Sequence, residues 1–97
     1  MEFIRKDNQV IISSEKKEII LGSENITLDT LFIDTPGEYE KGGFLMYVRE
    51  DEAIRYYHFR VEGYWIGYIS GIPTEIPAQI LDFLGQLDIL VAPFGKT

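Results

Sequence analysis

Few side chains in this sequence are suited to acid–base or metal chemistry. The chain contains no cysteine and a single histidine, His58. A zinc site needs three or four ligands, mostly histidine and cysteine, and a nucleophilic triad needs an imidazole base beside a serine. No serine lies in a Gly-x-Ser-x-Gly elbow. We therefore expect no catalytic residue and no metal ligand, and we expect His58 to pair with a carboxylate or with solvent.

Two groups of carboxylates are the remaining candidates for binding a cation. Glu38 and Glu40 alternate along one segment, and residues 50–52 form an acidic run. Carboxylate oxygens suit a hard cation such as Ca²⁺, but a solvated turn is the simpler interpretation of both groups. Gly42-Gly43 lacks the lysine and the following helix of a phosphate-binding loop. We therefore expect no cofactor.

Charge and composition restrict the class of partner. The formal net charge is −7 at pH 7, and 45% of the residues are hydrophobic. A negative protein repels phosphates, so we expect no nucleic-acid partner, although the tyrosines and Trp65 between residues 56 and 68 are able to stack on bases. No apolar run has the length of a signal peptide core or a membrane span. We expect one cytoplasmic domain, residues 1–97, without membrane contact.

A corner at residues 33–43 organises the middle of the chain. An apolar run ends before Pro36-Gly37, and another begins at Phe44. Pro36 has no backbone donor and Gly37 accepts a positive φ, so the chain is expected to reverse there. A bulge or a close backbone contact is expected after it. The predicted structural corner comprises Pro36, Gly37, Glu38, Tyr39, Gly42 and Gly43.

Short apolar runs predict strands on both sides of this corner, at residues 9–13, 19–21, 26–28, 30–33, 44–49 and 87–94. The run at 9–13 is apolar at three successive positions, which favours burial on both faces. The run at 26–28 is short and is expected to lie at a sheet edge. A helix is expected at about residues 75–84, with Thr74 as N-cap, Pro77 in the first turn and Gly85 at the C-terminus.

The clearest pattern covers residues 54–70 and is interrupted once, at Glu62-Gly63. A hairpin closed there places large apolar residues opposite one another on one face, in the pairs Val61 with Tyr64, Phe59 with Ile66 and Tyr57 with Tyr68. A slip of one residue would mix the two faces, so the pattern supports this register. The other face carries Tyr56, His58, Arg60, Trp65, Gly67 and Ile69.

Three blocks in order resemble the metallo-β-lactamase superfamily, in its branch of small zinc-dependent hydrolases. They are Thr35-Pro36-Gly37-Glu38-Tyr39-Glu40 with Gly42-Gly43, then Trp65-Ile66-Gly67-Tyr68-Ile69-Ser70-Gly71, then Leu84-Gly85-Gln86-Leu87-Asp88-Ile89-Leu90-Val91-Ala92-Pro93-Phe94-Gly95. The resemblance covers nearly the whole chain from about residue 10. It implies two packed β-sheets, and a hydrolase that works with a zinc pair held by histidines and aspartates.

The metal motifs of that family are replaced here. Its His-x-His-x-Asp-His motif falls on residues 14–19, which are Ser-Glu-Lys-Lys-Glu-Ile, and two lysines there would repel a dication. Its later Gly-Asp-x-Gly-His motif falls on residues 70–74, where Gly71 replaces the aspartate and Thr74 the histidine. The resemblance also implies an N-terminal hairpin and a second half that this sequence lacks.

The sequence therefore predicts an α+β fold, a mostly antiparallel sheet or partial β-sandwich with one C-terminal helix. The predicted function is that of a non-catalytic, metallo-β-lactamase-like domain that binds a protein or associates with itself. The alternative is a metal-dependent hydrolase of that fold, or half of one that a second chain completes. Soluble monomers seldom expose large apolar patches, so we expect a homodimer or a protein partner. The candidate contact residues are Tyr56, His58, Trp65 and Ile69.

Overall fold

The computed structural model of the chain describes residues 1–6, 9–22, 26–71 and 75–91. The N-terminal sheet contains, in spatial order, β1 (Glu2–Lys6), β2 (Gln9–Ser14), β3 (Lys17–Leu21), β4 (Ile26–Leu28) and β5 (Leu31–Ile33). The C-terminal sheet contains, in spatial order, β6 (Gly37–Lys41), β7 (Phe44–Asp51), β8 (Ile54–Val61), β9 (Tyr64–Ile69) and β10 (Ile89–Val91). Helix α1 (Ala78–Leu84) connects β9 to β10, and these two strands are parallel while the other neighbours are antiparallel.

The two sheets pack face to face around one hydrophobic core. Its buried members on the N-terminal sheet are Val10, Ile12, Ile19, Leu21, Ile26, Leu28 and Ile33, and on the C-terminal sheet Phe44, Met46, Val48, Tyr57, Phe59, Val61, Ile66, Tyr68 and Val91. Alternate residues of each strand enter this core, as the period of two requires. The α+β class, mainly antiparallel β-sheet with one helix, is confirmed.

The predicted hairpin register is confirmed. Strands β8 and β9 pair Val61 with Tyr64, Phe59 with Ile66 and Tyr57 with Tyr68. All of these side chains except Tyr64 are buried, and Tyr64 is 50% exposed at the open end of the hairpin. The hydroxyl of Tyr68 donates to the carbonyl of Gly22 at 3.0 Å, which connects the two sheets.

Two expectations about the strands were wrong, and two strands were not predicted. Residues of β2 are buried on one face only, because Val10 and Ile12 enter the core while Ile11 between them is half-buried. Strand β4 is not at an edge, because it pairs with β3 on one side and β5 on the other. Strands β1 and β6, which the apolar pattern did not indicate, form edges of the two sheets.

The helix is shorter than expected and forms a third layer. It begins at Ala78 with Pro77 in the N-cap position, and Thr74, the expected cap, lies outside the described residues. It ends before Gly85, which has a φ of 63° and donates its backbone N–H to the carbonyl of Leu81 at 3.1 Å. The helix packs on the outer face of the C-terminal sheet, where Tyr56, Ile69, Ile80 and Leu84 form a second buried cluster.

Within the described residues, four two-residue turns with positive φ at both positions connect neighbouring strands. They are Glu15-Lys16, Gly42-Gly43, Glu52-Ala53 and Glu62-Gly63. Two positive φ values define a type I′ turn, whose twist matches that of the flanking strands. Only two of the four turns use glycine at the second position, so the other two hold ordinary side chains in a left-handed conformation. No helix of the described ranges is long and apolar enough to cross a membrane.

Candidate functional site

The four predicted contact residues divide into two pairs. Tyr56 and Ile69 are 1% and 7% exposed because helix α1 covers them. They hold the helix on the sheet and offer no surface to a partner. His58 and Trp65 lie on the same sheet face beyond the helix and are half-buried. The candidate contact surface is therefore the part of the sheet that the helix leaves open. It includes His58 and Trp65 and excludes Tyr56 and Ile69.

Six side chains meet on this open part of the C-terminal sheet, and we call them the aromatic–guanidinium cluster. They are Tyr47 and Arg49 from β7, His58 and Arg60 from β8, Trp65 from β9 and Phe83 from α1. The register places Tyr47 opposite His58, and Arg60 opposite Trp65. Alternation then puts Arg49 on the same face as Tyr47. The cluster thus joins three neighbouring strands to the helix.

His58 is at the centre of the cluster. Its ring centroid is 4.4 Å from that of Trp65, 5.8 Å from that of Phe83 and 6.1 Å from that of Tyr47. Its Nε2 atom is buried and has no hydrogen-bond partner among the described residues. This burial lowers the pKa of His58, because the charged form loses its hydration. No carboxylate among the described residues pairs with this atom, and the contacts of His58 are mainly those of its ring with Trp65, Phe83 and Tyr47.

Each of the two arginines lies over an aromatic ring. The guanidinium carbon of Arg49 is 4.9 Å from the centroid of Phe83, and that of Arg60 is 5.8 Å from the centroid of Trp65. Among the described residues, neither arginine forms a salt bridge with a carboxylate. A guanidinium stacked on a ring keeps the N–H donors of its edge for a carboxylate or phosphate. The cluster therefore presents two cations, each over an aromatic ring, on a protein of net charge −7.

Trp65 is fixed in place by the segment that follows the helix. Its backbone N–H donates to Oδ2 of Asp88 at 2.8 Å, and its carbonyl accepts from the backbone N–H of Asp88 at 2.8 Å. Next to it, Gly67 gives Leu87 room to approach, since a Cβ on Gly67 would lie 2.6 Å from a Leu87 methyl carbon. These contacts order the sheet beside the cluster before any partner is bound.

An open cleft of about 310 Å³ adjoins the cluster at its β7 side. Its walls are the Pro36-Gly37-Glu38 corner, the outer side of β7 and the ring of Phe83. The Arg49 side chain lines it together with Tyr47 and Val48. A cleft of this size is at the small end of ligand sites, and it fits one large side chain better than a complete small molecule.

The predicted corner is a connection between the sheets, not a reversal within one sheet. It leads from β5 to β6, and the hydroxyl of Tyr39 bonds both to the carbonyl of Thr35 and to its side-chain oxygen. The reversal comes later, at Gly42-Gly43, where the φ values are 62° and 88°. A Cβ added to Gly42 would lie 3.0 Å from side-chain atoms of Asp29 and Lys17, so the close neighbours at Gly42 are side chains and not the expected backbone.

The position of the first family metal motif is occupied by structural contacts. The hydroxyl of Ser14 donates to Oε2 of Glu62 at 2.7 Å, and the ammonium of Lys17 donates to the carbonyl of Gly42 at 3.0 Å. The Ser14 hydrogen bond holds the pKa of Glu62 below its usual value. The second motif position includes residues 72–74, which lie outside the described residues. Elsewhere, within residues 1–6, 9–22, 26–71 and 75–91, no three histidines, aspartates or glutamates are grouped as metal ligands.

The acidic candidates are also separate from one another. Glu38 and Glu40 are exposed on the edge strand β6. In the other group, Oε1 of Glu50 accepts a hydrogen bond from Nε of Arg55 at 3.0 Å, so that part of its charge is already compensated. Neither group converges on a common point within the described residues.

Sequence reasoning found His58, Arg60 and Trp65 on one face but missed Tyr47, Arg49 and Phe83. A signal for the first two was present. A two-residue turn at Glu52-Ala53 pairs Asp51 with Ile54. Four residues further along each strand, the same register places Tyr47 opposite His58. Phe83 lies on the apolar stripe of the predicted helix, which was expected to pack on a sheet, but its contact with His58 depends on how the helix returns to that sheet.

Comparison with known protein families, with curated proteins and with solved structures finds no match to this chain. The resemblance to the metallo-β-lactamase superfamily therefore depends on the residues quoted for it and on nothing else.

Proposed function

We propose that the chain is a non-catalytic protein-interaction module that binds its partner through the aromatic–guanidinium cluster and the adjoining cleft. The observation that carries the proposal is the pair of arginines over the rings of Phe83 and Trp65, which both contact His58, at a place where helix α1 leaves the sheet uncovered. Arginine, tryptophan and tyrosine are the residues that most often dominate protein–protein binding energy. The proposal keeps the metallo-β-lactamase-like ancestry and a cytoplasmic location as inferences from the sequence.

The partner that this surface suits is a protein segment with one large apolar side chain next to a carboxylate. The apolar side chain fills the cleft against Phe83 and Tyr47, and the carboxylate pairs with Arg49, which lines the same cleft. A hydrogen bond between the partner's carboxylate and Arg49 replaces water on a guanidinium that already contacts the ring of Phe83. Few side chains of the chain have to be ordered when the partner binds, so the entropy cost of association is small.

The test is a peptide array read by fluorescence. One set of peptides carries an aromatic residue beside Asp or Glu, and a matched set carries Lys in place of the acid. We expect binding only in the acidic set, with a change in the emission of Trp65, the one tryptophan of the chain. Arg49→Gln should weaken the best peptide about tenfold or more, since a charge-assisted hydrogen bond contributes roughly 1.5–3 kcal/mol.

Lys41→Gln serves as the control, because it removes a positive charge from an exposed residue at the end of β6. It should leave the affinity unchanged, and thermal melts should show that both variants remain folded. Binding that is equal in the two peptide sets, or that Arg49→Gln does not weaken, contradicts the proposal.

The non-catalytic part of the proposal is tested by metal analysis. Structural and catalytic zinc sites use mainly histidine nitrogen and cysteine sulfur, with carboxylates as additional ligands, and this chain offers one imidazole and no thiolate. We expect the purified protein to retain no stoichiometric zinc after dialysis. Zinc at one equivalent or more, found by elemental analysis, would contradict it and would favour the hydrolase alternative.

A further inference from the structure

A row of four apolar residues and one threonine crosses all five strands of the N-terminal sheet on its outer face. The register aligns Ile4, Ile11, Ile20, Thr27 and Phe32 from β1 to β5. The two ends of the row are the most open, since Ile4 is 43% and Phe32 is 53% exposed, and the three residues between them are half-buried. Helix α1 packs on the C-terminal sheet, so no helix of the described residues covers this row.

The charges beside the row are arranged unequally. On one side of the row, Glu2 lies two residues from Ile4 on β1 and Glu18 lies two residues from Ile20 on β3. Strand alternation places both on the same outer face as the row. Two positions from Ile4 on the other side, it places Lys6. All three side chains are exposed. On the same side as Lys6, two positions from Phe32, lies the exposed Asp34. The outer face therefore has an acidic flank and a flank with one cation and one carboxylate.

We propose that a second copy of this chain covers the row, with the two-fold axis running along the row itself. Such an axis places each strand over its own copy and reverses the strand direction, as an isologous contact requires. Ile4 and Phe32 then meet their own copies, and Glu2 of each chain faces Lys6 of the other. An axis parallel to the strands would instead oppose the two acidic flanks, which is unfavourable for chains that each carry a charge of −7.

The size of the face indicates how strong this dimer is. Five strands spaced about 4.8 Å apart, with three to six residues each, give a face of roughly 24 Å by 15 Å. That is less than the ~800 Å² that each partner contributes to a stable interface. We therefore expect a weak dimer that dissociates on dilution. Its surface is separate from the cluster on the C-terminal sheet, so the inference does not depend on the proposed function.

Sedimentation equilibrium over a concentration series tests the proposal on the full chain. With a chain mass of 11.2 kDa, the average mass should rise toward 22.4 kDa (2 × 11.2) as the concentration approaches the millimolar range. Phe32→Glu should hold the mass at that of one chain. Leu90→Glu is the matched control, because Leu90 is 56% exposed on the other sheet, and it should leave association unchanged.

A charge exchange tests the position of the axis. Glu2→Lys and Lys6→Glu should each weaken the dimer, and the double variant should restore it, because the two residues face each other across the interface. A mass of one chain throughout the series overturns the proposal. So does equal disruption by Phe32→Glu and Leu90→Glu, or a double variant that associates no better than the single variants.

Discussion

At the scale of single residues, His58 links the surface of the C-terminal sheet to the stability of the fold. Burial lowers its pKa, and its Nε2 atom has no hydrogen-bond partner among the described residues. In the unfolded chain a histidine titrates near 6.5. Between that value and its lower folded pKa, the unfolded state binds more protons than the native state. The free energy of unfolding must therefore fall as the pH falls through this range.

His58→Phe is expected to remove that pH dependence. A phenyl ring keeps the aromatic contacts with Trp65 and Phe83 but takes up no proton. Urea titrations should show the two proteins diverging as the pH is lowered from about 8 to about 5, with the variant the more stable at low pH. The hydrogen-bonded carboxylate of Glu62 titrates in a lower range, below its usual value, so it does not obscure the effect. Parallel pH profiles for the two proteins would contradict this account of His58.

The residues of the cluster show what a sequence can and cannot indicate about a site. Arg60 and Trp65 were placed on one face correctly, because the alternation of large apolar residues along residues 54–70 specifies the register. Tyr56 and Ile69 share that alternation, yet the helix buries them. Alternation assigns a residue to a face of a sheet but does not say which part of the face another element covers.

At the scale of elements, the turns hold side chains in conformations that glycine adopts more easily. Ala53 has a φ of 68° in the turn between β7 and β8. Ala53→Gly should raise the free energy of unfolding by about 1 kcal/mol, because a left-handed conformation costs an L-residue roughly 1–2 kcal/mol and the added chain entropy of glycine offsets part of that. Urea denaturation measures the change.

Ala78→Gly provides the matched control, because it is the same substitution at the first residue of α1. There the backbone is helical and glycine is the poorer residue, so stability should fall or stay unchanged. If Ala53→Gly is as destabilising as Ala78→Gly, the assigned turn geometry is wrong.

The accuracy of the predicted elements follows from how much of each strand is buried. Strands β8 and β9 alternate clearly because one face enters the core. Strand β1 is exposed along its whole length, and β6 offers only Tyr39 to the core, so neither leaves an apolar pattern. Strand β4 has three residues, too few for the sequence to show that both of its edges are paired.

At the scale of the whole molecule, the described chain has three layers and two open outer faces. The helix covers one end of the C-terminal sheet and leaves the aromatic–guanidinium cluster beside it. The outer face of the N-terminal sheet carries the row from Ile4 to Phe32. The sequence predicted that apolar surface would be left over, since one short helix covers only part of one sheet. It indicated leftover apolar positions on the hairpin and on the runs at residues 10–12 and 19–21, but it did not indicate that these lie on two separate outer faces with different chemistry.

The central claim is that a partner binds through the cluster, and NMR titration with the best peptide of the acidic set tests it most directly. The account predicts shifts at the Trp65 indole, at His58 and at Phe83, in one continuous patch. Signals of Ile20 and Phe32, on the opposite face of the sandwich, should not move. Shifts on the N-terminal sheet without shifts at Trp65, or no shifts at saturating peptide, would contradict the claim.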